Sequence, residues 1–85
     1  MRHTTQPWVY SKDRKSLNAT FRVKDFMAAV RLIGKVAKAA EKMDHHPDIH
    51  LTRYRRLRFV LLTHSLGRVT VKDLKLAKVI SGLIK

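Results

Sequence analysis

Apolar and polar residues alternate from Leu17 to Lys24: Leu17, Ala19, Phe21 and Val23 stand between Asn18, Thr20, Arg22 and Lys24. A period of two with one polar side predicts a half-buried strand. Trp8, Val9 and Tyr10 form a shorter strand candidate ahead of it, across the polar stretch Ser11 to Ser16. At Asp25 the period lengthens. Phe26, Ala29, Val30, Ile33, Val36, Ala37 and Ala40 recur at helical spacing, with Arg31, Lys35, Lys38 and Lys42 at other positions around the helix. The Asp25 carboxylate suits an N-cap, where it accepts the orphan N–H groups of the first turn. The helix should run to about Lys42 or Met43, and Pro47 bars a simple continuation. Ile49 and Leu51 alternate with His50 and Thr52 as a third strand, and Arg53 to Arg56 form a turn. Leu57, Phe59, Leu61 and Thr63 alternate with Arg58, Val60, Leu62 and His64 as a fourth. Gly67 lies in the next turn. Thr70-Val71-Lys72-Asp73 has the form of a capping box with Asp in place of Glu. The helix it opens should reach about Leu83. Its apolar set, Leu74, Leu76, Ala77, Val79, Ile80, Leu83 and Ile84, is wider than one stripe and predicts contact on two sides.

The order strand, strand, helix, strand, strand, helix predicts a two-layer α+β domain with helices over one face of the sheet. The 85 residues make one domain, 1–85, with one core. Area scaling for this mass buries roughly 64% of the unfolded chain's surface, and chains this short often gain stability by oligomerising. Val60 and Leu62 would lie on the sheet face away from the helices, where polar residues are usual, and this points to a subunit contact.

Charge changes the picture most. Nineteen Lys and Arg against six Asp and Glu leave a formal charge of +13. Such a field attracts polyanions and anionic ligands. Four of the nineteen fall within Arg53 to Arg58, and the others are spread along the chain, as on a solvated basic shell. The absence of cysteine excludes disulfides, cysteine-ligated metals and thiol catalysis. There is no apolar run of membrane-spanning length, and Met1 to Tyr10 lacks the apolar stretch of a signal peptide. A soluble, cytoplasmic protein with no membrane partner is expected.

The chemistry-bearing residues are histidines. Of five, His45 and His46 follow the first helix, and His64 ends the fourth strand. Element ends hold side chains on a rigid scaffold while leaving them in reach of solvent. Imidazoles there can move protons near neutral pH, though adjacent histidines can equally be polar loop residues. Asp44, His45, His46, Asp48 and His50 offer enough ligands for a metal, but their spacing matches no standard zinc site, and no metal or cofactor is expected. His3 should belong to a mobile end.

Ala40-Glu41-Lys42-Met43-Asp44-His45-His46-Pro47, then Thr63-His64, then Thr70-Val71-Lys72-Asp73 with Leu76-Ala77, resembles the pterin-4a-carbinolamine dehydratase family. Phe21-Arg22-Val23-Lys24-Asp25-Phe26 with Ala29 is similar to the family's strand-to-helix junction, and Trp8 to its early tryptophan. The resemblance covers residues 8 to about 84. It implies a four-stranded antiparallel sheet with helices on one face, and dimers or tetramers. It also implies dehydration of 4a-hydroxytetrahydropterin to quinonoid dihydropterin, which recycles the cofactor of aromatic amino acid hydroxylases. By position, His45 and His64 would be the acid–base pair and His46 would orient the substrate. Pro47 would shape the pocket floor. Thr63 and Ser65 would also bind substrate. Glu41, Asp44 and Asp73 would orient imidazoles or bind the pterin's N–H groups. For Asp73 the capping box is the plain alternative, and for Glu41 a solvated helix end.

The chain departs from the family pattern at three places. Ile49 stands where an aromatic is common, Ser65 replaces an acidic residue, and Arg68 takes the second position of a Gly-Gly turn, adding charge near the pocket. Lys72 keeps the basic charge before Asp73. A second reading is a non-catalytic binding module. Some family members act as a dimerisation partner of a homeodomain transcription factor. Independently, the basic turn Arg53-Tyr54-Arg55-Arg56-Leu57-Arg58 suits nucleic-acid phosphates and base stacking, although a charged hairpin tip would look the same.

Overall fold

The computed structural model describes residues 8–84. His3 lies outside them. The elements are β1 (Val9–Tyr10), β2 (Leu17–Arg22), α1 (Phe26–Met43), β3 (Asp48–Thr52), β4 (Arg56–Leu61) and α2 (Val71–Ile84). The four strands form one antiparallel sheet in the order β1-β2-β4-β3. The central pair is β2 with β4, in register from Leu17↔Leu61 to Arg22↔Arg56. The chain therefore crosses over through α1 from β2 to β3, leaving the slot that β4 later fills.

Strand alternation sends Leu17, Ala19, Leu57, Phe59 and Leu61 inward. They meet Ala29, Leu32, Val36 and Ala40 of α1 and Leu76, Ala77 and Ile80 of α2, so both helices cover the same face. Phe21 stands edge-on between Trp8 and Phe59, each ring centroid 6.0 Å away. The Trp8 indole N–H donates to Ser81 Oγ at 2.8 Å, tying the chain just before β1 to α2.

Local signals behave as their chemistry demands. Asp25 Oδ1 accepts the Ala28 N–H at 2.8 Å and opens α1. Three expectations shift. The buried stripe of α1 runs through Leu32, while Phe26 and Val30 are exposed. In α2, Leu74 and Val79 are largely exposed, so within the chain it buries one stripe. The fourth strand ends at Leu61, short of Thr63 and His64. Its partner β2 begins at Leu17, opposite Leu61, so among the described residues no strand continues there to pair with it. Beyond Leu61 the Thr63 N–H instead reaches the Arg68 carbonyl at 2.8 Å across a tight turn. Only Gly67 takes a left-handed backbone in that turn (φ 64), and Arg68 sits in it without one. Val60 and Leu62 are half-buried. Among the described residues no helix is long and apolar enough to cross a membrane.

Candidate active site

Two helix ends meet at a buried carboxylate. The last turn of α1 is closed by Asp44, in the left-handed region at φ 52 and ψ 43. The Asp44 N–H bonds the Glu41 carbonyl at 3.1 Å, and the His45 N–H bonds the Ala40 carbonyl at 3.0 Å. This is a Schellman closure with Asp where glycine is usual. It turns the chain back on itself and carries the His45 ring inward, to 9% exposure.

Asp73, in the first turn of α2, meets it there and is fully buried. Its Oδ1 lies 2.5 Å from His45 Nε2. Its Oδ2 accepts the Thr70 N–H at 2.9 Å and the Thr63 hydroxyl at 2.9 Å. Asp73 thus forms one half of the capping box and orients an imidazole with its other oxygen. The other half is absent: the Thr70 hydroxyl turns to Thr63 Oγ1, 2.6 Å away. Thr63 has one hydroxyl proton. With that proton on Asp73, Thr70 is the donor in the pair. A buried carboxylate with its lone pairs engaged is the arrangement that burial of such a group requires.

The chemistry follows from the acceptors. A carboxylate oxygen has no hydrogen to give, so His45 Nε2 carries the proton in this contact. In the neutral ring Nδ1 is then an acceptor held in a fixed direction. His46 makes a separate pair: its Nε2 bonds Glu41 Oε2 on the exposed surface of the α1 C-terminus. Glu41 is at once a solvated helix-end residue and a partner of this imidazole.

The structure therefore gathers His45, Asp73 and Thr63 into one network and sets His46 with Glu41 beside it. His64 follows Thr63 directly but lies exposed in the turn, not on a strand. Thr63 is what ties that turn to the carboxylate holding His45. Ser65 is exposed in the same turn, Asp44 is exposed at the helix end, and Pro47 is half-buried. Thr70 was expected only as a cap. Its hydroxyl joins the network, a contact that the Thr-x-x-Asp pattern could not distinguish from a cap. Among the described residues no three His, Asp or Glu side chains could together hold a metal ion. Among the described residues, depressions lie elsewhere, two of them on the open face of the sheet.

Comparison with known proteins bears on the family and the fold. The family model described as pterin 4 alpha carbinolamine dehydratase matches residues 1–83. A protein of Gloeobacter violaceus, provisionally named pterin-4-alpha-carbinolamine dehydratase 2, is 48% identical over 62 residues, covering 73% of this chain and 66% of that relative. One from Nocardia farcinica, also provisionally named for the dehydratase, is 41% identical over 78 residues, covering 92% of this chain and 79% of its own. Among solved structures, a transcriptional coactivator/pterin dehydratase from Brucella melitensis superposes with TM-score 0.84 at 34% identity, over 91% of this chain and 81% of that one. A pterin dehydratase-like RuBisCO assembly factor of the alpha-carboxysome shares the fold, with TM-score 0.74 at 16% identity over 89% and 87% of the two chains.

Proposed function

Because the chain belongs to the pterin 4 alpha carbinolamine dehydratase family, we propose that it is a hydro-lyase acting on 4a-hydroxytetrahydropterin. The reaction needs two proton movements. The C4a hydroxyl must receive a proton to leave as water, and the adjacent ring nitrogen must lose one as the C=N bond forms. The products are quinonoid dihydropterin and water, with no net change in protons.

The observation that carries this reading is the 2.5 Å contact between His45 Nε2 and buried Asp73. It fixes the ring and leaves Nδ1 as acceptor, which suits His45 to take the ring-nitrogen proton. His64, exposed one residue after Thr63, would supply the proton to the departing hydroxyl. His46, braced by Glu41, orients the substrate. Pro47 and Ser65 line the approach, and Asp44 and Thr63 hold the backbone and the carboxylate that shape it. The exposed apolar residues Phe26, Met27 and Val30 on α1, with the family's habit, favour a homodimer or homotetramer.

The test is the decay of synthetic 4a-hydroxytetrahydropterin with and without protein. Wild type should accelerate it, and His45→Ala and His64→Ala should each lower the rate about a hundredfold or more. No acceleration over buffer, or two variants at the wild-type rate, refutes the reading.

A further inference from the structure

The sheet has a covered face and an open one. Alternation that buries Leu57 and Phe59 sends Arg56 and Arg58 of β4 outward, beside Thr20 and Arg22 of β2 and His50 of β3. The register sets Arg22 directly opposite Arg56, and Arg58 between Thr20 and His50. Like charges directly opposed on an antiparallel pair repel each other. Among the described residues, no carboxylate forms an ion pair with any of these arginines. Arg58 Nη2 bonds a neutral acceptor, Asn18 Oδ1, at 3.0 Å. The one acidic residue on this face of β3, Asp48, sits at the far end, opposite Val60.

The loop after β3 extends the same surface. Arg53 (φ 47) and Tyr54 (φ 53) are both left-handed, a conformation that Asn or Gly adopts more readily. It leaves the Tyr54 ring 60% exposed, with the Arg55 guanidinium carbon 5.8 Å from its centroid. A depression of about 480 Å³ runs from Arg53 and Tyr54 to Arg22 and Arg56. A second, of about 450 Å³, continues from Arg56 to Arg58 and His50. Thr20 and Arg56 line both, so the two form one basic groove.

We propose that this groove binds single-stranded nucleic acid, with phosphates on Arg22, Arg56 and Arg58 and a base stacked on Tyr54. Guanidinium forks match phosphate oxygens in geometry and charge, and an anion between Arg22 and Arg56 relieves their repulsion. Arg56 and Arg58 project from one strand about 6.6–6.8 Å apart, a spacing suited to successive phosphates of an extended strand. An exposed aromatic at the end of a phosphate track is a platform for an unpaired base. A shallow sheet with no projecting helix favours a strand with free bases over a duplex groove. The groove lies on the opposite side of the sheet from the helices that carry Asp73 and lead into His45, so this inference stands apart from the dehydratase reading.

The test is fluorescence anisotropy of a labelled twelve-nucleotide mixed-sequence DNA strand titrated with the full chain at several salt concentrations. Three phosphate contacts give a log–log salt slope of about −2, or about a twentyfold loss of affinity between 50 and 200 mM salt. The double variant Arg56→Glu/Arg58→Glu should bind at least tenfold more weakly, with a slope shallower by about 1.4. It places a carboxylate opposite Arg22 and should fold; Arg56→Gln/Arg58→Gln gives the same readout more gently. Tyr54→Ala should weaken binding with the slope unchanged. Lys38→Glu/Lys75→Glu, an equal charge change on exposed helix positions, should cost less than threefold. Four results overturn the proposal: no binding at 50 mM salt, equal losses from the two charge-reversed pairs, equal or tighter binding of the matching duplex, or equal competition by polyglutamate.

Discussion

Asp73→Asn isolates what the buried carboxylate does. The amide keeps the shape but can accept through one atom only. On the Oδ2 side stand two donors, the Thr70 N–H and the Thr63 hydroxyl, both at 2.9 Å. The amide oxygen belongs there. Its NH₂ must then face His45 Nε2, where Asp73 Oδ1 stood at 2.5 Å. To avoid opposing donors the imidazole moves its proton to Nδ1, so the atom that should accept a proton now carries one. Replacing charge-assisted bonds by neutral ones costs about 1–2 kcal/mol of stability, small enough for the variant to stay folded. The rate should suffer more. Loss of a general base is worth about 10²–10⁴-fold, and an analogous carboxylate-to-amide change behind a catalytic imidazole costs about 10⁴-fold. Two measurements decide the matter: turnover of 4a-hydroxytetrahydropterin, and ¹⁵N shifts of the His45 ring, which report the tautomer. Wild-type turnover in Asp73→Asn, or a ring protonated on Nε2 in both proteins, would refute the reasoning.

Other expectations follow from single contacts. Gly67→Ala meets no atom within 4 Å, so its cost is backbone strain at φ 64, about 1–2 kcal/mol, read as a lower midpoint in urea. Phe59→Ala empties a fully buried site beside Phe21 and should cost about 3–5 kcal/mol by the same assay. The Ser11 hydroxyl bonded to Asp13, with the Lys15 N–H, holds the Asp13 carboxyl below its ordinary range. Its support of the turn is present above that range and fades as pH falls through the lowered value, so Ser11→Ala should move the Asp13 midpoint upward in an NMR titration.

Much of this protein is written in short-range pattern. The strand from Leu17, the Asp25 cap, the helix ending near Met43 and the Thr70–Asp73 helix start follow from periodicity and capping chemistry, which involve neighbours a few residues apart. The histidine motifs were legible as a family resemblance. Where pattern misled, a distant partner was decisive. Thr63 and His64 alternate as a strand should, but β2 begins at Leu17, opposite Leu61, and Thr63 pairs instead with Arg68 across the turn.

Tertiary structure alone decided the pairing of β2 with β4, and with it the row of arginines. Arg22 and Arg56 are far apart in the chain and become opposed only when those two strands meet. It also decided which carboxylate holds which imidazole. His45 and Asp73 are 28 positions apart, and no local rule distinguishes a capping aspartate from one that also grips a histidine. Hydrophobic period and caps are properties of a segment. Contacts between segments depend on how their buried faces pack together, and that is settled by the whole chain at once.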